Sequence, residues 1–330
     1  MNVDIRTHIE HWPYIRPFHI TGHTFDGSAA LVVSADDGSY RGVGEAAGVY
    51  YRNETMAGMA AQIAAVADAA AYAGRHDLPS LLGPGGARNA LDCALWDLEA
   101  KRSGRPVWKL AGLRHVRPLL TTYTIGADDP AVMAVRAGEY ASARALKLKL
   151  LGDGGDAERV RAVRQVRPEV WLGVDANQGF TPDSYHALLP VLVDARIALI
   201  EQPFAIGREQ DLDGLDSPIP LAADESVQDR HDIEKMRGRV EVINIKLDKC
   251  GGLTEALAMI SLIRAAGMRP MVGNMMGSSL STAPGFVLGQ LCDFVDLDGP
   301  TFLARDREPA VVYQDGYISC SEQVWGGVRN

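Results

Sequence analysis

Five charged residues between positions 149 and 246 each close an apolar run. They are Lys149 in Leu146-Lys147-Leu148-Lys149, Asp175 in Val174-Asp175-Ala176-Asn177, Glu201 in Ile200-Glu201-Gln202-Pro203, Asp224 in Ala223-Asp224-Glu225 and Lys246 in Asn244-Ile245-Lys246. Any one of them alone reads best as a solvated residue at a strand end. Five in succession do not, because each follows residues that must be buried, and an ionised group held there has to be paired or metal-bound. Asp175, Glu201 and Asp224 supply three carboxylates with no His or Cys among them, a hard oxygen set suited to Mg²⁺ rather than zinc. A cation so held can stabilise negative charge on a substrate carboxylate as an α-proton leaves.

Lys147 and Lys149 lie two apart on a strand and point to the same side. One ammonium beside another and near a cation is expected to lose its proton more readily, and a lysine so tuned can act as a base. Lys246 comes from a strand nearly diametrically across from that of Lys149. A substrate between the two lysines offers one face to each, which is what inversion at carbon requires. Asp296 and Asp298, in Val295-Asp296-Leu297-Asp298-Gly299-Pro300, are again two apart and should attract a cation. Turn acids capping the next loop are the alternative, and the motif alone does not choose.

These residues need elements to position them. After Pro118 the text alternates strand and helix at intervals of roughly 25 residues, which demands parallel strands with crossover helices. Strands are predicted near 119–125, 145–150, 170–175, 197–201, 220–223, 242–247, 269–273 and 293–298. Eight strands suggest a closed barrel, whose C-terminal mouth would gather all the charged residues. An open doubly wound sheet is the rival, but no glycine fingerprint follows Thr121-Thr122-Tyr123. Residues 1–50 read as short antiparallel strands around the turn Asp36-Asp37-Gly38, and residues 56–111 as helices broken at Leu82-Gly83-Pro84-Gly85-Gly86. The expected division is therefore an α+β unit over 1–115, a barrel over 116–305 and a strand-like segment over 306–330 that packs back on the first unit.

Composition excludes several other functions. The chain has 330 residues, 47% of them hydrophobic and 23% charged, and this balance is that of a compact globular protein. Its net charge of -9 comes from scattered acids and no Lys/Arg run offers a phosphate-binding footprint, so nucleic acid is not an expected partner. The residues from Met1 to Arg6 hold no apolar signal core, and the alanine-rich stretch 57–73 reads as an amphipathic helix rather than a membrane span. Cys93, Cys250, Cys292 and Cys320 form no CxxC pair, which fits a reducing cytoplasm. A homo-oligomer is compatible with all of this. Gly83–Gly86 and Gly154-Gly155 lack the setting of a phosphate loop, and the eight histidines show no ligand spacing.

The five strand-end motifs, Lys-x-Lys, Asp-x-Asn, Glu-Gln-Pro, Asp-Glu-Ser and Asn-x-Lys followed by Gly-Gly, resemble the enolase superfamily and within it the muconate lactonizing enzyme subgroup. The resemblance covers essentially the whole chain. It implies a modified (β/α)7β TIM-like barrel with an α+β capping domain, metal ligands at Asp175, Glu201 and Asp224, acid/base lysines at Lys149 and Lys246, and Lys147 in support. A mandelate-racemase-type His-Asp dyad is not matched, since 268–277 contains no histidine. The Asp296-Leu297-Asp298 element is similar to the Asp-x-Asp signature of dipeptide epimerases, where the pair binds a free ammonium group. The implied reaction is epimerisation at the C-terminal residue of a dipeptide, with the L-Ala-D/L-Glu type favoured.

Two places depart from the glutamate-specific pattern. Thr21-Gly22-His23 stands where an arginine is expected in the first capping loop, with Arg16 the nearest cation before it, and Asn274-Met275-Met276-Gly277 replaces a Met-Ile-Glu element. In the second capping loop, Gly48 to Asn53, Arg52 is a candidate partner for an acidic side chain, or else a solvated loop arginine. A cycloisomerase, an o-succinylbenzoate synthase or an N-acylamino acid racemase of the same subgroup is the enzymatic alternative, and a non-catalytic ligand-binding barrel the other.

Overall fold

The computed structural model describes residues 3–329. It opens with a hairpin of β1 (Asp4–Ile20) and β2 (His23–Asp36), which β3 (Arg41–Ala46) extends in antiparallel order. These strands are not short as expected: β1 runs for 17 residues and β2 for 14, with a register shift between Pro13 and Phe18. The shift lets the far end of the hairpin bend away from its own sheet. Four helices follow, α1 (Met56–Ala70), α2 (Leu78–Leu81), α3 (Gly86–Ser103) and α4 (Val107–Leu110).

The barrel is an eight-stranded parallel sheet of β5 (Tyr123–Ile125), β6 (Ala145–Lys149), β7 (Trp171–Asp175), β8 (Leu199–Glu201), β9 (Leu221–Ala223), β10 (Val242–Lys246), β11 (Arg269–Gly273) and β12 (Phe294–Asp296), neighbours in that order. Crossover helices are α5 (Pro130–Glu139), α6 (Asp156–Val166), α7 (Pro182–Asp194), α8 (Leu247–Cys250) with α9 (Leu253–Ala265), and α10 (Ser279–Gly289). The β8–β9 and β9–β10 connections carry only 3-10 turns, Glu209–Leu212 and Arg230–Met236. The Thr122 N–H donates to the Val295 carbonyl at 3.1 Å and ties the first strand to the last. This is the expected (β/α)7β barrel with an α+β cap.

One predicted strand divides. The text from 119 to 125 is uniformly β-forming, but Leu119–Leu120, here β4, pairs instead with a C-terminal hairpin of β13 (Val312–Gln314) and β14 (Tyr317–Ser319). The break falls where the backbone changes partner: the Thr121 N–H donates to the Gly316 carbonyl in the β13–β14 turn and the Thr122 N–H to the Val295 carbonyl of β12, each at 3.1 Å, while the Thr121 hydroxyl accepts from the Leu297 N–H and the Thr122 hydroxyl bonds Asp296. Beyond this hairpin the Trp325 indole donates to the Val43 carbonyl at 2.8 Å, and the Gly326 N–H donates to Asp97 at 3.0 Å.

The pleat of the barrel strands sorts their side chains. On β10, Ile243 and Ile245 join the large core under the helices, whereas Val242 joins Leu199, Ala222 and Met271 in a small inner cluster. Continuing that alternation brings Asn244 and Lys246 inward. All five β10 residues are buried, as a parallel strand covered on both faces should be.

Helix α3 fastens the cap to the barrel just beyond Lys246. Arg88 donates to the carbonyls of Cys250 and Gly251, and Asp92 accepts from the Thr254 N–H at 3.0 Å and from its hydroxyl at 2.5 Å. Gly251 and Gly252 have φ of +84° and +114°, and a Cβ on either would lie 2.4 Å or less from Arg88 or Asp92, so the Gly-Gly pair is what allows this approach. Burial pushes the Asp92 carboxyl up to about 6, against the Thr254 hydrogen bonds and the charges of Arg75 and Arg88. Since the folded value lies above the ordinary 3.8, stability from this group is full below pH 4 and is lost as pH rises toward 6. A difference of about two units corresponds to about 3 kcal/mol. Asp92→Asn is therefore expected to flatten the fall in stability across this window in urea titrations, and a wild-type-minus-variant difference that stays constant from pH 4 to 7 would refute it.

Candidate active site

The register across β6, β7 and β8 sets Lys149, Asp175 and Glu201 side by side, and on the other wall that of β10, β11 and β12 aligns Lys246, Gly273 and Asp296. A Cβ at Gly273 would meet Asn244 at 2.8 Å and the Lys246 Cε at 3.1 Å, so glycine leaves room for the lysine stem. Strands β6 and β10 stand four places apart in the order of eight, which puts Lys149 and Lys246 on opposite walls. Both lysines line one cavity of about 220 Å³, together with Lys147, Asp296 and Asp298. An apolar cavity of ~150 Å³ is enough to hold a benzene, so this one admits a substrate group of at least that size.

Asp175, Glu201 and Asp224 are fully buried and each can present one carboxylate oxygen within 4.8 Å of the others. Burial and the adjacent Asp175 charge raise Glu201 well above the usual carboxylate range. Burial acts the same way on Asp224, but Lys246 and Lys249 outweigh it and hold that carboxyl low. Lys246 donates to one Asp224 oxygen at 2.6 Å and Lys249 to the other at 2.6 Å. Among the described residues, five buried side-chain polar atoms have no partner, and three of them are oxygens beside these carboxylates: Asn177 Oδ1, Glu225 Oε2 and Asn244 Oδ1. Crowded carboxylates ringed by unpartnered acceptors fit a divalent cation with all-oxygen ligation.

The lysines are paired with carboxylates. Lys149 donates to Asp175 at 2.5 Å. Lys147 ion-pairs with Asp296 and donates to Glu201 at 3.2 Å, with Asp175 at 3.7 Å. Burial pulls Lys147 down, but those three carboxylates together hold it well above the ordinary lysine value. This corrects the expectation of a lowered Lys147: the neighbours that decide it are acids on other strands. Lys246 is likewise raised, burial being overcome by Asp224 and Glu201. A cation bound among the same carboxylates would compete for their charge and weaken the upward pull on Lys147 and Lys246.

Asp296 is occupied, by Lys147 and by the Thr122 hydroxyl. Asp298 accepts the Thr124 N–H at 2.5 Å, and burial, then the Asp296 charge, raises its carboxyl to about 7. A cationic ligand group beside Asp298 would supply the missing countercharge.

The cap closes over this mouth through specific bonds. The Thr21 hydroxyl reaches the Leu150 and Ala176 carbonyls at 2.9 Å, Ser28 bonds the Met276 carbonyl at 2.5 Å, and the Gly48 N–H donates to Asp248 at 2.9 Å. Tyr50 of the second capping loop lines the cavity, but Arg52 does not. Arg52 is exposed and its guanidinium donates to Gln228 at 3.4 Å, because the single 3-10 turn Tyr50–Arg52 sends these two side chains in different directions.

Three positioning residues escaped the sequence reading. Lys249 is 1% exposed and grips Asp224; Asn244 donates to Glu201 at 2.7 Å; the Gln202 carboxamide oxygen accepts the Asp224 and Ser226 N–H groups at 2.9 and 3.1 Å. A signal existed for Lys249, a lysine one helical turn past Lys246 and just ahead of Cys250-Gly251-Gly252. Asn177, Gln178 and Gln202 have φ of 42°, 71° and 37°, so the backbone is strained where β7 and β8 deliver their carboxylates.

Residues 2–112 match the mandelate racemase / muconate lactonizing enzyme N-terminal domain, and residues 131–324 the enolase C-terminal domain-like family. The L-Ala-D/L-Glu epimerase of Escherichia coli K12 is 36% identical over 312 residues, 94% of this chain and 97% of that protein. The crystal structure of an enolase family member from Agrobacterium tumefaciens, with homology to dipeptide epimerases and with bound sodium and L-Ala-L-Glu, is 39% identical with a TM-score of 0.95, covering 99% of this chain and 100% of that one. The dipeptide epimerase of Methylococcus capsulatus, complexed with Mg and L-Arg-D-Lys, is 30% identical with a TM-score of 0.88 over 97% of this chain and 98% of that one. With both of its domains matched and its barrel carrying the five strand-end motifs in register, this chain belongs to the mandelate racemase / muconate lactonizing enzyme family of the enolase superfamily.

Proposed function

We propose that the protein is a Mg²⁺-dependent dipeptide epimerase, an isomerase that inverts the α-carbon of the C-terminal residue. The observation that carries this reading is the pair Lys149 and Lys246 on opposite walls of one cavity whose third side is Asp296 and Asp298. Asp175, Glu201 and Asp224 would hold the Mg²⁺, which when bound supplies positive charge against the negative charge that develops on the substrate carboxylate. One lysine accepts the α-proton from its face, and the other, as an ammonium, donates a proton to the opposite face. Asp175 and Asp224, bonded to the two lysines, keep each Nζ aimed inward. Asp298 receives the substrate ammonium, while Asp296 stays with Lys147 and fixes the edge of the site. The capping unit of residues 1–115, with the returning segment 306–330, would exclude water from a barrel of residues 116–305 that holds the chemistry.

A cytoplasmic setting belongs to the same proposal, supported by four free cysteines of which Cys93 and Cys250 are buried. Among the described residues no helix is long and apolar enough to cross a membrane. Neither nucleic acid nor membrane is required by this reading, and a dipeptide is its only small-molecule partner.

Dipeptides incubated in deuterated water with Mg²⁺ are expected to gain deuterium at the C-terminal α-carbon, read by NMR. No incorporation into any dipeptide would overturn the proposal. Asp298 separates it from the N-acylamino acid racemase and cycloisomerase alternatives. Losing a charge-assisted bond to an ammonium costs on the order of 1.5–3 kcal/mol, so Asp298→Asn should lower kcat/KM for dipeptides by about 10- to 100-fold. A substrate without an ammonium should respond far less. Equal losses on a dipeptide and its N-acetyl derivative would favour the alternatives.

A further inference from the structure

The wall facing the strand ends comes from the cap, and its chemistry differs from that of the floor. The tip of the β1–β2 hairpin contributes Phe18, Ile20 and Phe25, of which Phe18 and Phe25 are cross-strand partners; Tyr50 and Met56 complete this wall, and Met276, from the barrel loop after β11, packs against it. The Phe25 and Tyr50 rings meet edge to face with centroids 5.3 Å apart. Five charged side chains line the cavity, Lys147, Lys149, Lys246, Asp296 and Asp298, and all belong to the barrel. The cap's nearby cations are directed elsewhere. Arg16 pairs with Glu139 at 2.8 Å and Arg52 bonds Gln228, and neither lines the cavity. His23 packs on the outer side of the same aromatic group, 5.9 Å from Phe25 and 4.8 Å from Tyr50, and is not part of the lining.

Tyr50 also fixes which part of a substrate this wall meets. Its ring meets that of Tyr51 edge to face at 5.2 Å, and Gln228 Nε2 joins the Tyr51 hydroxyl at 3.0 Å to the Glu225 carbonyl at 2.7 Å, so Tyr50 and Phe25 stand over the strand end that carries Asp224 and, with Lys246, line one cavity. That is the end of the cavity where the substrate carboxylate and the inverted α-carbon belong in the epimerase reading, on which this inference rests. A side chain on that carbon, directed away from both lysines, has the aromatic wall in front of it.

We infer that the C-terminal residue of the substrate carries an uncharged, apolar side chain, with Phe25 and Tyr50 as the residues that set this preference. An acidic side chain would lose its water against this wall and find no free cation in exchange, whereas a hydrocarbon gains by the same contact. The preference for glutamate implied by the resemblance is thus not carried by any cation that the cap directs into this cavity.

The test measures kcat/KM for α-deuterium incorporation with Mg²⁺ on L-Ala-L-Phe, L-Ala-L-Leu, L-Ala-L-Ala, L-Ala-L-Glu and L-Ala-L-Lys. The Phe and Leu dipeptides are expected to exceed the Glu and Lys ones by about tenfold or more. In Phe25→Ala the Phe-to-Ala ratio of kcat/KM should fall about tenfold, mainly through KM. Phe25→Leu, which keeps an apolar wall, should still rank apolar above acidic. L-Ala-L-Glu turning over as fast as the apolar dipeptides, or Phe25→Ala lowering all five substrates alike, would overturn the inference while leaving the epimerase reading standing. Absence of exchange on every dipeptide would remove both.

Discussion

Replacing Lys246 with methionine is expected to stop epimerisation, lowering its rate by about 10³-fold, yet to leave one epimer still exchanging its α-proton with solvent. A positioned acid/base is worth about 10²–10⁴ in rate, and in the proposed reaction each lysine would serve one face alone. With Lys246 gone, Lys149 can still remove the proton that faces it and return a solvent deuteron to the same face. The product is labelled but not inverted. Lys149→Met should show the mirror pattern, exchange of the other epimer only. Mass spectrometry of each pure epimer in deuterated water, with chiral chromatography for inversion, reads both quantities at once.

The charge balance shows why the pair must be tested together. Lys246→Met leaves Asp224 with Lys249, and Lys149→Met leaves Asp175 with Lys147 at 3.7 Å, so each carboxylate keeps one ammonium. Neither variant strands a buried carboxylate without any countercharge, and each should fold and bind Mg²⁺. If both variants lost exchange on both epimers while still binding Mg²⁺, the two-lysine reading would fail. If either variant continued to invert, its lysine would have no part in the proton transfer.

How much of this site could be read from the chain follows from the pleat of a barrel strand. Val242, Asn244 and Lys246 face inward because a strand has period two, and the charged end marks the mouth because nothing else could tolerate it. That logic reached Lys149, Asp175, Glu201, Asp224, Lys246 and Asp296 directly, and the structure gathers them around one set of oxygens and one cavity.

What the chain did not reveal depends on long-range partners. The largest upward influence on Lys147 is Asp296, 149 residues away and bonded to it only after the last strand returns beside the first. Leu119 to Ile125 reads as one strand because its propensities are uniform, and the division comes from distant partners, Gly316 for the Thr121 N–H and Val295 for the Thr122 N–H. Phe25 gave no signal as part of the site. It reaches the cavity because the hairpin is long and shifts register past Pro13, a property of pairing rather than of composition.

Removing the metal should have an effect as large as removing a lysine, with a separate structural signature. A bound divalent cation contributes several kcal/mol to the developing charge, so protein treated with EDTA should lose about 10³-fold or more in turnover and regain it with Mg²⁺. Zn²⁺ should restore less, since the ligand set holds only oxygens. A cation held by these residues would also offset the repulsion between carboxylates: Glu201 lies beside Asp175 in register and is fully buried. Saturation at about a hundred times Kd would add about 2.7 kcal/mol to the folded state, visible as a rise of a few degrees in Tm.

Glu201→Gln tests the same electrostatics from the other direction. At pH 9, above the value of about 8 to which burial and Asp175 raise the Glu201 carboxyl, the glutamine removes one negative charge from the cluster, and Lys147, which loses a partner, keeps Asp296. Without Mg²⁺ the variant should melt at or above the wild type, because the repulsion with Asp175 is relieved. With Mg²⁺ only the wild type should gain, because the variant has lost one of three charged ligands. The two melting temperatures therefore change order, or draw apart, on adding the metal. A variant that gained as much from Mg²⁺ as the wild type would mean that Glu201 is not a ligand, and the cation would then have to be sought among Asp175, Asp224 and Glu225.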